Sequence, residues 1–431
     1  MLEAARKTPE KSRISAVIAS TVGSRGWLLT VDTYPALVAA AIPWSTSAVG
    51  IFMFLWLLAL IPTIEPRTFL SCLKRPAYWL PLAFFALALA GTLWAEGPWS
   101  IRLHGINPVT KLLVIPLLLY HFERSRRAHW ALAAFLGSCA VLMLLSWIVL
   151  YMPEWKISAS ETPGVPLKNS IDQSQEFALC VFMLIPLVQL FLRERRMALA
   201  ALATALAAGF LANMMFVVSS RTALIYMPVL LLLFAARHLE RRSMLALLAT
   251  AAAIAAVVWF SSPYLRFRVL HVAVEYQEYT ETNRPTSTGQ RLEFWRQSIG
   301  YIGQAPLFGN GTGSAKLLFD RDAVGRAGAW AQSIGNPHNQ TLYVAIQWGV
   351  LGAIVLYAMW CAHLLLFREA GLAAWIGLVV VVQNIMSSIL NSHLFDFHEG
   401  WMYVLGVGIA GGVVGRARKA VNVQRPPEPA A

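Results

Sequence analysis

The chain has 431 residues, of which 57% are hydrophobic and only 13% charged, with a formal net charge of +13 and a mean hydropathy of +0.57. Soluble domains carry about a quarter charged residues, so this composition excludes the soluble globular class and leaves an integral membrane protein. Its lysines and arginines fall in short runs between apolar stretches, with no aromatic-interleaved basic domain, which argues against nucleic acid as a partner.

In chain order, apolar segments long enough to cross a bilayer run over 27–44, 47–63, 78–95, 108–120, 128–151, 174–192, 197–218, 222–236, 243–262, 339–366, 371–390 and 399–415. The expected fold is therefore an all-α integral membrane protein of about twelve transmembrane helices. Residues 1–26 read as a cytoplasmic tail, 27–262 as the first nine helices, 263–338 as one large loop, 339–415 as the last three helices, and 416–431 as a second tail. Basic runs set the orientation: Arg6 to Arg25, Arg67/Lys74/Arg75, Arg124/Arg126/Arg127, Arg193/Arg195/Arg196, Arg237/Arg241/Arg242, Arg368 and Arg416 to Arg425 all share one side if every segment spans. The positive-inside rule makes that side cytoplasmic and puts the 263–338 loop on the opposite face. The four cysteines, Cys72, Cys139, Cys180 and Cys361, lack ligand spacing and read as small buried residues.

Three outward elements are expected to begin helices. Ser219-Ser220-Arg221-Thr222 is a tight turn into the eighth span, with a serine cap. Ser287-Thr288-Gly289-Gln290 has capping-box form and places Arg291 in a first turn. Asn336-Pro337-His338 puts a capping asparagine and a proline before the tenth span, with His338 in its opening turn. Helix N-termini offer free N–H groups and partial positive charge, and guanidinium adds bidentate recognition of phosphate. Either arginine taken alone fits an interfacial anchor equally well. His338 at such a terminus would stay neutral and able to accept a proton, with Asn336, Asn339 and Gln340 near enough in sequence to orient a sugar.

Other chemistries find little support. His393 and His398, around Asp396, read as a capped turn between the last two spans, with a supporting layer around the site as the alternative. Outward carboxylates such as Glu154, Glu161 and Asp172 show no metal-binding spacing, no G-x-S-x-G is present, and the Gly309–Gly313 run reads as a surface turn.

Taken together, Ser219–Thr222, Ser287–Arg291 with Trp295, Pro306–Gly311, and Pro337-His338-Asn339 running to Gly349–Gly352 resemble the O-antigen ligase (WaaL) family and its relatives, the Wzy polymerases and PglL-type glycosylating enzymes. The resemblance covers the second half of the chain. It implies a GT-C-like, metal-independent and cofactor-free glycosyltransferase of the Gram-negative inner membrane, working in lipopolysaccharide biosynthesis with its active site in the periplasm. Such an enzyme moves a polysaccharide from undecaprenyl pyrophosphate to lipid A-core, with membrane lipid as a further partner. It implies that Arg221 and Arg291 hold the pyrophosphate and that His338 is catalytic; Lys168, Arg266, Gln290 and Asn339 are secondary candidates by position. The alternatives are an O-antigen polymerase and, from other classes, a polysaccharide transporter or flippase, or a scaffold.

Overall fold

The computed structural model describes residues 22–158, 162–218 and 220–424, and all regular structure among them is helical. The main helices are α1 (Arg25–Ala41), α2 (Thr46–Leu60), α3 (Pro76–Ala90), α4 (Val114–Phe122), α5 (Ala128–Tyr151), α6 (Ser170–Arg193), α7 (Met197–Phe216), α8 (Arg221–His238) and α9 (Arg241–Ser261). Then follow α10 (Pro263–Thr282), α11 (Ser287–Gln304), α12 (Ser314–Ala323), α13 (Gln340–Leu366), α14 (Leu372–Ser387) and α15 (Phe397–Gln424). Each of the twelve apolar segments coincides with helix. The segment 108–120 is the least regular, reaching α4 through a short turn of helix at Asn107–Thr110 and a 3₁₀ turn at Lys111–Leu113.

Among the described residues, eight helical stretches are long and apolar enough to cross a membrane: Thr46–Thr63, Trp99–Phe122, Ala128–Tyr151, Ser170–Arg193, Met197–Phe216, Arg221–His238, Arg241–Ser261 and Gln340–Leu366. Pro76–Ala90 and Leu372–Ser387 are equally apolar but shorter. Leu245, Ile254, Val257 and Phe260 of α9 are exposed, as expected of a helix whose neighbour is lipid rather than protein. The core lies elsewhere, around Trp56, Phe84, Phe177, Trp348, Trp375 and Tyr403. α15 runs along α4 because Gly408, Gly412 and Gly415 leave room for Leu118, Phe122 and Glu123, the small-residue contact that draws membrane helices together.

Residues 263–338 are largely helical, comprising α10, α11 and α12. Phe294 and Tyr301 of α11 and Leu318 and Phe319 of α12 form a small core of their own, closed by Ile346 of α13. The Gly309–Gly313 run, expected as a surface turn, is instead docked into the bundle. The N–H groups of Asn310 and Gly311 donate to the carbonyls of Ile346 and Gln347, both at 2.8 Å, and Thr312 donates to Gly91 at 3.0 Å. Those α13 carbonyls are free because the helix breaks at Gly349, whose φ of 60° and ψ of −154° fall outside the helical range. A Cβ there would meet the Leu307 carbonyl oxygen at 2.4 Å. Gly349→Ala should therefore cost at least about 1–3 kcal/mol, from the backbone conformation alone. An unchanged thermal midpoint in detergent would refute this account of the break.

Two caps differ from expectation. Thr286, not Ser287, caps α11, its hydroxyl accepting from Gly289 N–H at 3.1 Å. Asn339, not Asn336, caps α13, accepting from Leu342 N–H at 3.0 Å. Asn336 has turned its oxygen to the His338 N–H at 2.9 Å, so Pro337 and His338 precede the helix rather than opening it.

Candidate functional site

The starts of α8, α11 and α13 meet beside the helices of the 263–338 segment. Ser220 caps α8 by accepting from Ala223 N–H at 3.2 Å, and its own N–H donates to Ser174 Oγ on α6 at 2.9 Å. This fixes Arg221 as the first residue of α8; Ser219, part of the same expected turn, lies outside the described residues. Thr286 caps α11 and ties it to α10 by donating its hydroxyl to the Glu275 carbonyl at 2.8 Å.

Arg221 meets Glu275 of α10 as a two-pronged fork, Nη1 to Oε2 and Nη2 to Oε1, both at 2.7 Å. Glu275 Oε2 also accepts the Thr288 N–H, at 3.0 Å, and the Thr288 hydroxyl. A guanidinium, a backbone N–H from a helix start and a hydroxyl thus converge on one carboxylate. The same donor set suits phosphate oxygens. Burial alone would raise the Glu275 carboxyl, but its bonds to Arg221 and Thr288 hold it down at about 2.

Arg291 makes no hydrogen bond or ion pair among the described residues, although it is partly buried and close enough to Arg221 for the two charges to repel. Burial and Arg221 both lower its pKa, against the pull of Glu275. A half-buried guanidinium that lacks its own counter-ion beside a second guanidinium is the electrostatic mark of a place for an anion.

Phe294 lies three residues after Arg291, on the same face of α11, and its ring sits 6.2 Å from that of His338. The imidazole is therefore held beside Arg291. Its φ of 53° is a left-handed conformation that few non-glycine residues adopt. Nδ1 lies 2.7 Å from Asn391 Oδ1, and with Nδ1 as the donor Nε2 is free to accept a proton. Burial pushes the imidazole below its usual pKa; Asn391 opposes this and the Arg291 charge adds to it. If the bond to Asn391 sets the tautomer, Asn391→Ala should lower turnover by about 10²-fold with little change in substrate KM. Wild-type turnover in that variant would remove Asn391 from this role.

Next to His338 lies a polar floor built from the start of α6, the connection between α14 and α15, and the first turn of α15. Asn391 Nδ2 meets His393 Nε2 at 2.9 Å, and the other ring nitrogen of His393 meets Gln175 at 2.9 Å. His398 pairs with Asp172 at 2.8 Å. The expected turn is present, with the N–H groups of Phe395 and Asp396 donating to the Ser392 carbonyl at 2.8 and 2.9 Å, but His393 within it is fully buried, and burial pushes it down to about 3. The expectation that the carboxylates are unclustered also needs revision. Asp172, His398 and Glu399 bring potential ligand atoms within 4.8 Å of one another, and so do His393, Asp396 and Glu399. Asp172 comes from a distant part of the chain, whereas His393, Asp396, His398 and Glu399 share one short stretch, His393, Asp396 and Glu399 at intervals of three.

The secondary candidates divide. Gln290 follows the α11 cap, and its N–H donates to the Thr286 carbonyl at 2.8 Å. Asn339 is engaged structurally, donating to the Ile389 carbonyl at 2.9 Å while capping α13. Arg266 donates to the Phe260 carbonyl at 2.9 Å, closing the end of α9. Lys168 donates to the Ile42 carbonyl and faces Glu176 and Asp172 of the polar floor; burial lowers its pKa. A cavity of about 610 Å³ is lined by His104, Lys316, Gly335, Asn336, Tyr343 and Asp396; it reaches Asn336, which bonds the His338 N–H, but neither arginine nor His338 itself lines it. Sequence alone gave no sign of it, because its walls come from four separate stretches.

Residues 206–357, from α7 to the middle of α13, match the family model described as O-antigen ligase. The matched stretch contains Arg221, Arg291 and His338. No curated protein matches the chain.

Proposed function

We propose, from the match of residues 206–357 to the O-antigen ligase family model, that the chain is an O-antigen ligase transferring polysaccharide from undecaprenyl pyrophosphate to lipid A-core. In this reading all twelve apolar helices span the Gram-negative inner membrane, both termini are cytoplasmic, and α10 to α12 stand on the periplasmic face. The observation that carries the reaction is the meeting of Arg221, Arg291 and His338, far apart in sequence, at three helix starts.

Arg221, Arg291 and the α11 N-terminus receive the pyrophosphate and neutralise the negative charge that builds on it. The acceptor hydroxyl approaches His338 from the cavity, where Asn336 and Asp396 offer hydrogen bonds and Tyr343 an apolar face. Its oxygen attacks the anomeric carbon as the bond from that carbon to the pyrophosphate oxygen breaks. The electron pair leaves with pyrophosphate, the hydroxyl proton passes to His338 Nε2, and the anomeric configuration inverts. The arginines supply the electrophilic stabilisation, so the reaction is proposed to need no metal.

The decisive experiment incubates purified protein with lipid-linked glycan and lipid A-core in the presence of chelator. Joined product supports the ligase; elongated lipid-linked glycan without lipid A-core product would replace it with a polymerase. Absence of transfer to any acceptor would overturn the enzymatic reading in favour of a transporter or scaffold. Most ionisable residues within the bundle stay near helix ends, as with Asp172 in α6 and Glu399 in α15; Asp32 in the middle of α1 is the exception and is paired with Arg127 and His121, which disfavours transport through mid-membrane charge. Gly335 lines the cavity with nothing closer than 3.9 Å to an added Cβ, so Gly335→Phe should fill it. We expect the KM for lipid A-core to rise about tenfold or more. An unaltered acceptor KM would place the acceptor elsewhere.

A further inference from the structure

A second cavity, of about 350 Å³, opens between α1, α5, α6, α14 and α15, well removed in sequence from Arg221 and His338. Its walls are almost wholly apolar, with Leu132, Met183, Ile376 and Leu405 among them. Two guanidiniums, Arg126 and Arg416, border it and lie near enough to repel each other. Among the described residues neither makes a hydrogen bond or ion pair, and Arg416 Nη1 is buried with no partner.

The carboxylates that could have neutralised them are already engaged. Glu123 takes Arg75 and Lys419, Asp32 takes Arg127 and His121, and Glu369 takes Arg418. Arg126 is exposed and Arg416 partly buried, so together they form an accessible basic edge that an anion would neutralise. The pairing of an apolar slot with an unbalanced basic rim matches the two halves of a lipid, chain and phosphate.

We propose that this cavity is a binding site for one anionic glycerophospholipid, with an acyl chain in the slot and its phosphate bridging Arg126 and Arg416. The donor carrier is a different lipid at a different site, and this inference stands whether or not the chain is a ligase. Binding would brace α5 against α14 and α15, since each contributes wall.

The test uses the full chain, delipidated and examined by native mass spectrometry in mixed phosphatidylglycerol and phosphatidylcholine. We expect one phosphatidylglycerol retained with at least about tenfold preference. Arg126→Gln with Arg416→Gln should abolish the preference, and Ile376→Trp, which fills the slot, should abolish retention. Equal retention of both lipids by the wild-type protein would overturn the proposal without recourse to any variant. So would displacement by inorganic phosphate alone, which would mean that the chain contributes nothing, or selective retention of undecaprenyl phosphate instead.

Discussion

Arg291→Ala is expected to lower transfer by about 10²–10³-fold while leaving the protein as stable as before, because this guanidinium stabilises charge that exists only when donor is present. The structural argument lies in what the side chain does not do. It makes no hydrogen bond or ion pair among the described residues and stands against the charge of Arg221, so its removal breaks nothing and relieves a repulsion. Arg221→Ala should separate from it in kind. That change also strands Glu275, a buried carboxylate bound at two points by Arg221, and loosens α10 from the start of α8. Transfer assays paired with thermal unfolding in detergent distinguish the two. Equal loss of stability in both variants would show that Arg291 has a structural duty and would remove it from the phosphate site. Arg291→Lys should recover only part of the activity, since an ammonium keeps the charge but loses the planar fork.

His338→Ala should reduce turnover by about 10²–10⁴-fold, the usual contribution of a positioned base. The pH profile gives the sharper test. A base works when unprotonated, and burial together with Arg291 places the His338 pKa below its usual value. Turnover should therefore be level through neutral pH and fall only below about 6.5, the reference value for imidazole. Arg291→Gln removes the neighbouring cation, so its residual activity should begin to fall at a higher pH than that of the wild type. Movement in the opposite direction would contradict the assignment. Stability follows the same sign: the unfolded chain takes up a proton near 6.5 while the folded one resists, so folding weakens as pH drops below that value.

Much of the architecture was legible because lipid imposes a simple code. A span needs about 20 apolar residues, and each apolar segment named from the sequence is found in helix. The site was legible in outline because Ser220, Arg221 and Arg291 sit at helix starts, which local sequence can mark. Precision failed where tertiary contacts outweighed local preference. Asn336 has the composition of a cap, yet its oxygen serves His338, and the next asparagine caps the helix. The Gly309–Gly313 run resembled a surface turn because nothing local announces that α13 breaks at Gly349 to receive it. The polar floor was legible only in part: His393, His398 and Asp396 stood out in the sequence, but their partners on α6 did not. Asp172 and Glu399 acquire meaning only once α6 and α15 lie side by side, and that juxtaposition belongs to the assembled bundle.

The carboxylate of Glu275 already fills the fork of Arg221, and this has a bearing on selectivity. On the proposed function, an arriving ligand competes with a tethered rival whose local concentration never falls. A singly phosphorylated lipid or stray inorganic phosphate gains little by the exchange, whereas a diphosphate reaching both arginines can afford to displace the glutamate. Once the glycan has departed, the same rival is waiting to reclaim the fork, so release of the spent carrier is assisted from within. The occupied fork thus acts as a threshold on entry and a spring on exit.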